Sequence, residues 1–240
     1  MIEINRTEVH GWEAAIRGMR NPMNSWTKSD SEWCRGVSDP DLCAGCKWYE
    51  DNFGHCTHPA LPKEEIDGQF RIGKKDFALM VKLANGGPDH GKFLRMLTVT
   101  CDITAPLYWW KEFDTYKVGT VANSCSTMHK IHAKEFTLGD FSREHLWDGA
   151  RGHLKDTVRL LNLYRQKYID TGIKDAWCQM IQLLPSSYNQ RRTVQLNYAV
   201  LRNIYKSRKS HKLDEWLDFC VWAESLPYGR DLIAAEENHK

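Results

Sequence analysis

The chain has 240 residues and a formal net charge of +2. That length allows one domain with a full core. The near balance of charge excludes bulk attraction to nucleic acid or to a membrane surface. No apolar run reaches the roughly 18–20 residues that span a bilayer. The opening MIEINRTEVHGWE is charged and has no apolar core, so no secretory signal is expected. A cytoplasmic setting follows, in which the eight cysteines are reduced or bound to metal rather than paired.

In chain order, Met1–Glu8 alternates weakly through Ile2 and Ile4 and reads as an edge strand. Gly11–Met19 reads as a short helix with Trp12, Ala15, Ile16 and Met19 on one side, broken by NPMNSW. Lys74–Ala84 places Phe77, Met80, Val81 and Ala84 on one stripe, the spacing of an amphipathic helix, and Asn85-Gly86-Gly87-Pro88 stops it. Asp89–Arg95 is polar, and Met96–Ile103 is a β-like run. Phe136–Ser142 reads as a loop or turn, with Ser142 as a helix cap. Gly152–Thr171 and Asp175–Leu184 follow as helices, ended at Gly172 and Pro185. Gln190–Asn197 alternates in β fashion. Tyr198–Arg208 and Leu213–Ala223 are the last helices, and Glu236–Lys240 is a solvated tail.

Glu32–Pro59 has a different character. Cys34, Cys43, Cys46 and Cys56, with His58, form the pattern C-x8-C-x2-C-x9-C-x-H. A C-x2-C pair brings two thiolates onto one turn within reach of one metal ion, and two flanking cysteines complete a tetrahedral shell. Zinc is expected, with an iron–sulfur cluster, which the same sulfur ligands fit, and unliganded thiols as the alternatives. Four thiolates leave no open position, so the role is structural.

The stretch Ala105–His129 organises the rest. Thr100–Thr104 leads in as a strand, and Pro106 suits the start of a short helix because its missing N–H costs nothing there. Gly119, Thr120, Asn123, Ser124, Cys125, Ser126 and Thr127 then read as a small polar loop. Its hydroxyls and backbone N–H groups suit a phosphate or a flat heterocycle.

Several segments together resemble the flavin-dependent thymidylate synthases. That family carries R-H-R-x-x-S-x-N-E-x-S-x-R after a strand, an A-P opening and an R-Q pair. Here Ala105-Pro106 is followed at the same distance by Lys111-Glu112, and Thr115-Tyr116-Lys117 stands at R-H-R. Thr120 stands at the first Ser, Ala122-Asn123 at N-E, Cys125 at the second Ser and Thr127 at the final Arg, with no gap. Upstream, His90-Gly91-Lys92-Phe93-Leu94-Arg95 matches H-x-T-P-F-E-H, and Ser25 in AAIRGMRNPMNSW matches the Ser of A-x-R-x-S-F. Downstream, Asn197, Asn203, Arg208 and His211 match two Asn, an Arg and a His at similar spacing. The Cys-rich segment 32–70 lies outside the likeness and reads as an insertion in a single domain spanning 1–240.

The resemblance implies an α/β (α+β) fold, a small central sheet flanked by helices, assembled as a homotetramer. It implies FAD held by Ser25, His90, Lys92 and Arg95, by Thr115, Tyr116 and Lys117, and by Asn197, Asn203 and His211. A pyrimidine nucleotide would meet Glu112, Thr120, Asn123, Cys125, Ser126 and Arg208. Cys125 and Arg208 stand as catalytic candidates, the first as a thiol able to attack a pyrimidine C6, the second as a guanidinium able to fork onto a phosphate or a carbonyl. Methylenetetrahydrofolate would supply the carbon and NADPH would reload the flavin, giving dUMP to dTMP or a related conversion. Lys130, His129 or Arg95 is expected to replace the charge missing at Thr127. A second reading is a regulatory nucleotide- or flavin-binding homologue without turnover, with a structural metal site.

Overall fold

The computed structural model describes residues 2–33 and 70–235. In chain order the elements begin with strand β1 (Glu3–His10), helix α1 (Trp12–Arg20), strands β2 (Glu32–Trp33) and β3 (Phe70–Arg71), and helix α2 (Lys74–Asn85). Strand β4 (Thr98–Pro106), helix α3 (Leu107–Phe113), strand β5 (Val121–Ser124) and helices α4 (Asp148–Thr171) and α5 (Lys174–Leu183) follow. Strand β6 (Asn189–Asn197) and helices α6 (Tyr198–Arg208), α7 (Asp214–Ser225) and α8 (Gly229–Leu232) complete the order. The described residues divide into two compact units. One holds residues 2–10 and 97–235, the other 11–33 and 70–96.

In the first unit, β4 buries alternate residues, Val99, Cys101, Ile103 and Ala105, as the period of a strand requires. It pairs with β6 in a register that sets Val99 opposite Leu196 and Cys101 opposite Val194, so the two buried faces coincide. The two strands are neighbours in one sheet. The strand order is β1-β4-β6-β5 with every pair antiparallel. The class is therefore α+β, and the α/β half of the expectation is corrected. A bulge between Asn5 and Glu8 interrupts β1, where Arg6 takes φ 52°.

Helix α3 begins as β4 ends at Pro106 and turns Trp109, Trp110 and Phe113 inward. Trp109 meets Trp216 of α7 at 4.8 Å and Phe113 at 5.0 Å between ring centroids. Each such ring buries on the order of 150–250 Å², so this cluster dominates the local hydrophobic gain. Trp110 is oriented by its indole N–H, which donates to the Gln190 carbonyl at 2.9 Å, and the Arg192 guanidinium covers its face at 4.1 Å. A second cluster joins Phe136 and Phe141 to Leu154, Val158 and Leu161 of α4 and Met180 of α5. The Asn162 carboxamide pins the loop to α4 by bonding both the N–H and the C=O of Phe136 at 2.8 Å.

Two local readings change, and a third is made specific. Helix α4 starts at Asp148 with Trp147 as its cap residue, and Ser142 instead lies buried with its N–H on Ser187. The loop 136–142 contains a 3-10 turn, Leu138–Asp140, closed by a capping box between Thr137 and Asp140. The Gly119–Thr127 loop contains strand β5. Val121–Ser124 is exposed throughout and has no apolar alternation. Its pairing comes from the edge of β6, with Val121 opposite Gln195 and Ser124 opposite Arg192, a partner about 70 residues away that no local pattern announces.

In the second unit, α1, α2 and the 3-10 helix His90–Arg95 pack together, the last formed by a segment read from the sequence only as polar. Its polar centre is Asp76, fully buried. Asp76 accepts from Arg20 Nε at 2.6 Å, from the hydroxyls of Ser29 and Ser31 at 2.6 Å each, and from the N–H groups of Asp30 and Ser31 at 3.1 Å. Burial pushes its carboxyl up, but these bonds more than reverse that and hold it below the ordinary carboxylate value. Asp30 returns the contact by accepting from the N–H groups of Lys75 and Asp76 at the start of α2. Gly73 sits so close to Asp30 that a Cβ would lie 2.2 Å from its Cγ.

The expected metal ligands Cys34, Cys43, Cys46 and Cys56 lie outside the described residues. Among the described residues no group of His, Cys, Asp or Glu is arranged to hold a metal ion, and no helix is long and apolar enough to cross a membrane.

Candidate functional site

The residues expected to act together fall into three places. The first is a cleft of about 470 Å³ in the first unit, within the range of about 300–1,000 Å³ usual for ligand sites. Cys125, Ser126 and Thr127 line it from one segment and Tyr188, Asn189, Gln190 and Arg191 from another, and Lys134, Asp140 and Arg143 line it too. The first two segments are tied together. The Cys125 N–H donates to the Arg191 carbonyl at 2.9 Å, and Gln190 Nε2 donates to the Cys125 carbonyl at 2.7 Å. Cys125 is thus fixed by its backbone while its thiol side is exposed. The Ser126 hydroxyl oxygen accepts from the N–H groups of Met128 and His129 and shapes the turn that leaves the cleft.

The charges at this cleft are unequal in freedom. Lys134 is paired with Asp140, and Arg191 with Asp102. Burial raises the Asp140 carboxyl, but the bonds from Lys134 and Thr137 hold it below its ordinary value. Arg143 makes no ion pair with a described residue and is exposed. Burial pushes the Tyr188 phenol up, so it remains protonated and able to donate. Asn189 Oδ1 is buried and has no hydrogen-bond partner among the described residues.

The second place is a hub on Glu112, also in the first unit. Glu112 Oε2 receives Arg208 Nη1 at 2.7 Å and the Trp216 indole N–H at 2.8 Å, and His211 Nε2 stands 3.5 Å away. His211 Nδ1 accepts from the Leu213 N–H at 3.2 Å, which assigns the ring proton to Nε2 facing Glu112. Arg208 Nε donates to the Tyr116 hydroxyl at 2.9 Å, and its guanidinium lies over the Trp216 ring at 4.7 Å. Four expected site residues, Glu112, Tyr116, Arg208 and His211, therefore do come together, but they bond to one another.

Around the hub, Thr115 Oγ1 donates to the Glu112 carbonyl at 2.7 Å, and Asn197 Oδ1 caps α6 by accepting from the Val200 N–H at 3.1 Å. Gly119 has φ +78° and packs against that cap, where a Cβ would lie 3.0 Å from Asn197 Nδ2, so a turn this tight needs glycine. Thr120 Oγ1 is buried without a partner among the described residues. Lys117, Asn123 and Asn203 are exposed.

The third place is in the second unit. Ser25 offers its carbonyl and hydroxyl to Arg20 Nη1 at 3.2 and 3.5 Å, extending the Asp76 cluster. His90, Lys92 and Arg95 are exposed on the 3-10 helix, with Lys92 3.6 Å from Asp89.

Of the three residues expected to replace the charge missing at Thr127, none lines the cleft that Thr127 lines; Arg143, Arg191 and Lys134 do. Tyr188, Asn189, Gln190 and Arg143 were not singled out from the sequence. The density of amide and guanidinium groups in Tyr188-Asn189-Gln190-Arg191-Arg192, at the mouth of a strand, was the available signal.

No family model matches the chain, and no curated protein matches it. Among solved structures, thymidylate synthase X (ThyX) from Helicobacter pylori with FAD and dUMP superposes with a TM-score of 0.61 at 16% identity, covering 97% of each chain. A second structure of that enzyme with the same ligands gives 0.62 at 16% identity, over 96% of this chain and 97% of the other. The UMP/dUMP methylase PolB from Streptomyces cacaoi, bound with 5-Br dUMP, gives 0.57 at 13% identity, over 99% of this chain and 95% of that one. These identities speak to architecture alone, and on that level the chain has the fold of the flavin-dependent thymidylate synthases.

Proposed function

We propose that the protein is a flavin-dependent enzyme that adds a one-carbon group to a pyrimidine nucleotide of the UMP and dUMP class. The observation that carries this reading is the near full-length likeness to two nucleotide-methylating enzymes, both solved with dUMP or its 5-bromo analogue. In this chain the nucleotide occupies the Cys125–Thr127 cleft. Arg143 meets its phosphate, since it is the cleft cation that no in-chain carboxylate neutralises among the described residues. Tyr188, with its protonated phenol, and Cys125 line the same cleft.

The donor set fits a flavin dinucleotide. Lys92 and Arg95 stand three apart on a 3-10 helix and so share one edge, with His90 beside them, a grouping that suits a pyrophosphate. Taken by itself, the first unit holds exposed Lys117 and Asn203 and the Thr120 hydroxyl, which has no partner among the described residues, groups of the kind that bond phosphate or ribityl oxygens. Bound FAD supplies the hydride chemistry, with NADPH as its reductant and methylenetetrahydrofolate as carbon donor. The proposal includes a single-domain chain in a homotetramer, with Cys34, Cys43, Cys46 and Cys56, which lie outside the described residues, as ligands to zinc or to an iron–sulfur cluster.

Binding without turnover is the second reading. It is favoured by the Glu112 hub, which engages two of the nitrogens of the guanidinium expected to read the nucleotide.

The test is the visible spectrum of purified protein, followed by incubation with dUMP or UMP, reduced flavin and methylenetetrahydrofolate. Flavin absorption and a 5-methylated product support the enzyme. A colourless protein that binds UMP without converting it supports the second reading. A protein that binds neither flavin nor nucleotide overturns both.

A further inference from the structure

The cleft carries one polar atom whose state in the free protein is unfavourable. Asn189 Oδ1 is shielded from water and has no donor among the described residues. A buried acceptor left in this condition forfeits its bond to water and gains nothing in return. Such groups are rare in folded chains, and a donor brought by a molecule in the cleft is one way to satisfy this one.

The surroundings hold this side chain's backbone firmly. Asn189 opens β6 opposite Pro106 of β4. On one side, the Tyr188 N–H donates to Pro185 at 3.0 Å and the Tyr188 carbonyl accepts from Leu107 at 3.0 Å. On the other, Gln190 is occupied at both ends of its amide, by the Cys125 carbonyl and by Arg192 Nε. The other acceptors on the cleft wall differ in kind. Asp140 already receives Lys134 and Thr137, and Glu3 and Glu144 are carboxylates. Asn189 Oδ1 is a neutral acceptor, and it suits a neutral N–H or O–H donor rather than a cation.

We propose that Asn189 sets the specificity of the cleft by accepting a hydrogen bond from a neutral donor of the bound pyrimidine nucleotide. This rests on the nucleotide reading above. The donor chemistry is available in two places on such a ligand, the imide N3–H of uracil and the ribose 2′-hydroxyl.

The experiment titrates the full-length protein, wild type and Asn189→Leu, with UMP, dUMP and the monophosphate of 3-methyluridine by calorimetry. Asn189→Leu is expected to weaken UMP binding by roughly tenfold, the loss of one well-placed bond. The ligand that lacks the partner group should bind both proteins equally. If 3-methyluridine monophosphate is that ligand, the donor is N3–H, and if dUMP is, the donor is the 2′-hydroxyl. The thermal midpoint of the unliganded variant should not fall, because an unpaired acceptor has been removed. Should it fall, Asn189→Ala, which keeps more room in the cleft, is titrated in its place with the same expectation. Binding of all three ligands to the variants as to wild type overturns the role of Asn189 and leaves the nucleotide reading standing. Failure of the wild type to bind any of them overturns both.

Discussion

Arg208→Ala should unfold the first unit more readily, rather than merely remove a ligand contact. The guanidinium donates to Glu112 at 2.7 Å and to the Tyr116 hydroxyl at 2.9 Å, and it covers Trp216 at 4.7 Å. A hydrogen bond to a charged group contributes about 1.5–3 kcal/mol, and a cation over an indole adds about 0.5–1 kcal/mol at a partly exposed site. The Arg208 and Glu112 side chains keep 18% and 35% of their exposure, so solvent screening takes the ion-pair part towards its lower end. The expected cost is about 2–3 kcal/mol. Glu112→Ala removes the same pair and also the acceptor of the Trp216 indole, so its cost should be similar or larger. The two losses share one bond, and the double variant should therefore cost about 1 kcal/mol less than their sum. Urea unfolding followed by tryptophan fluorescence reads this directly, because Trp216 lies inside the hub and packs on Trp109. An Arg208→Ala protein within about 0.5 kcal/mol of wild type, or strict additivity in the double variant, would refute the hub as a structural unit and return Arg208 to the ligand.

Asp76→Asn leaves the buried Arg20 without its counter-charge and should cost about 3–5 kcal/mol at neutral pH, measured by thermal unfolding. Because the folded carboxyl lies below its ordinary value, its stabilisation is fully present above the unfolded value of about 3.9 and is lost as pH falls through the folded value. The gap between wild type and Asp76→Asn should therefore close only under acid conditions, and a gap constant down to about pH 2 would contradict the assignment. Cys125→Ser should retain methyl transfer within about tenfold if flavin rather than the thiol carries the chemistry; loss by about a thousandfold or more, with the folded signal intact, would make the thiol a nucleophile. Cys46→Ser should abolish the metal content measured by elemental analysis, and wild type purified without chelator and free of metal would remove the zinc site.

Much of the frame is legible in the residues alone. The alternation of Val99, Cys101, Ile103 and Ala105 marks β4, and the stripe of Met80 and Ala84 marks α2, because periods of 2 and 3.6 are local properties of the chain. The ordered motif positions pointed to the observed architecture across nearly the whole chain, even where the residue types differ. The segment Val121–Ser124 was not legible as a strand, since its reason for being extended is the edge of β6. The neighbours of the candidate residues were legible only in part. Glu112, Tyr116, Arg208 and His211 do converge, and Cys125 and Ser126 do line a cleft.

What the sequence by itself determined is most of the helices, the strands β1, β4 and β6, their order and the chemical types available, because propensity and periodicity act over a few residues. What only the tertiary structure decided is which polar groups are already satisfied. Whether Arg208 is free depends on Glu112, 96 residues away, and whether Asn189 is free depends on no donor reaching it from the described residues. Hydrogen bonds and ion pairs form between atoms within about 3 Å, and the distance between atoms in space is set by the packing of the whole unit rather than by their separation along the chain.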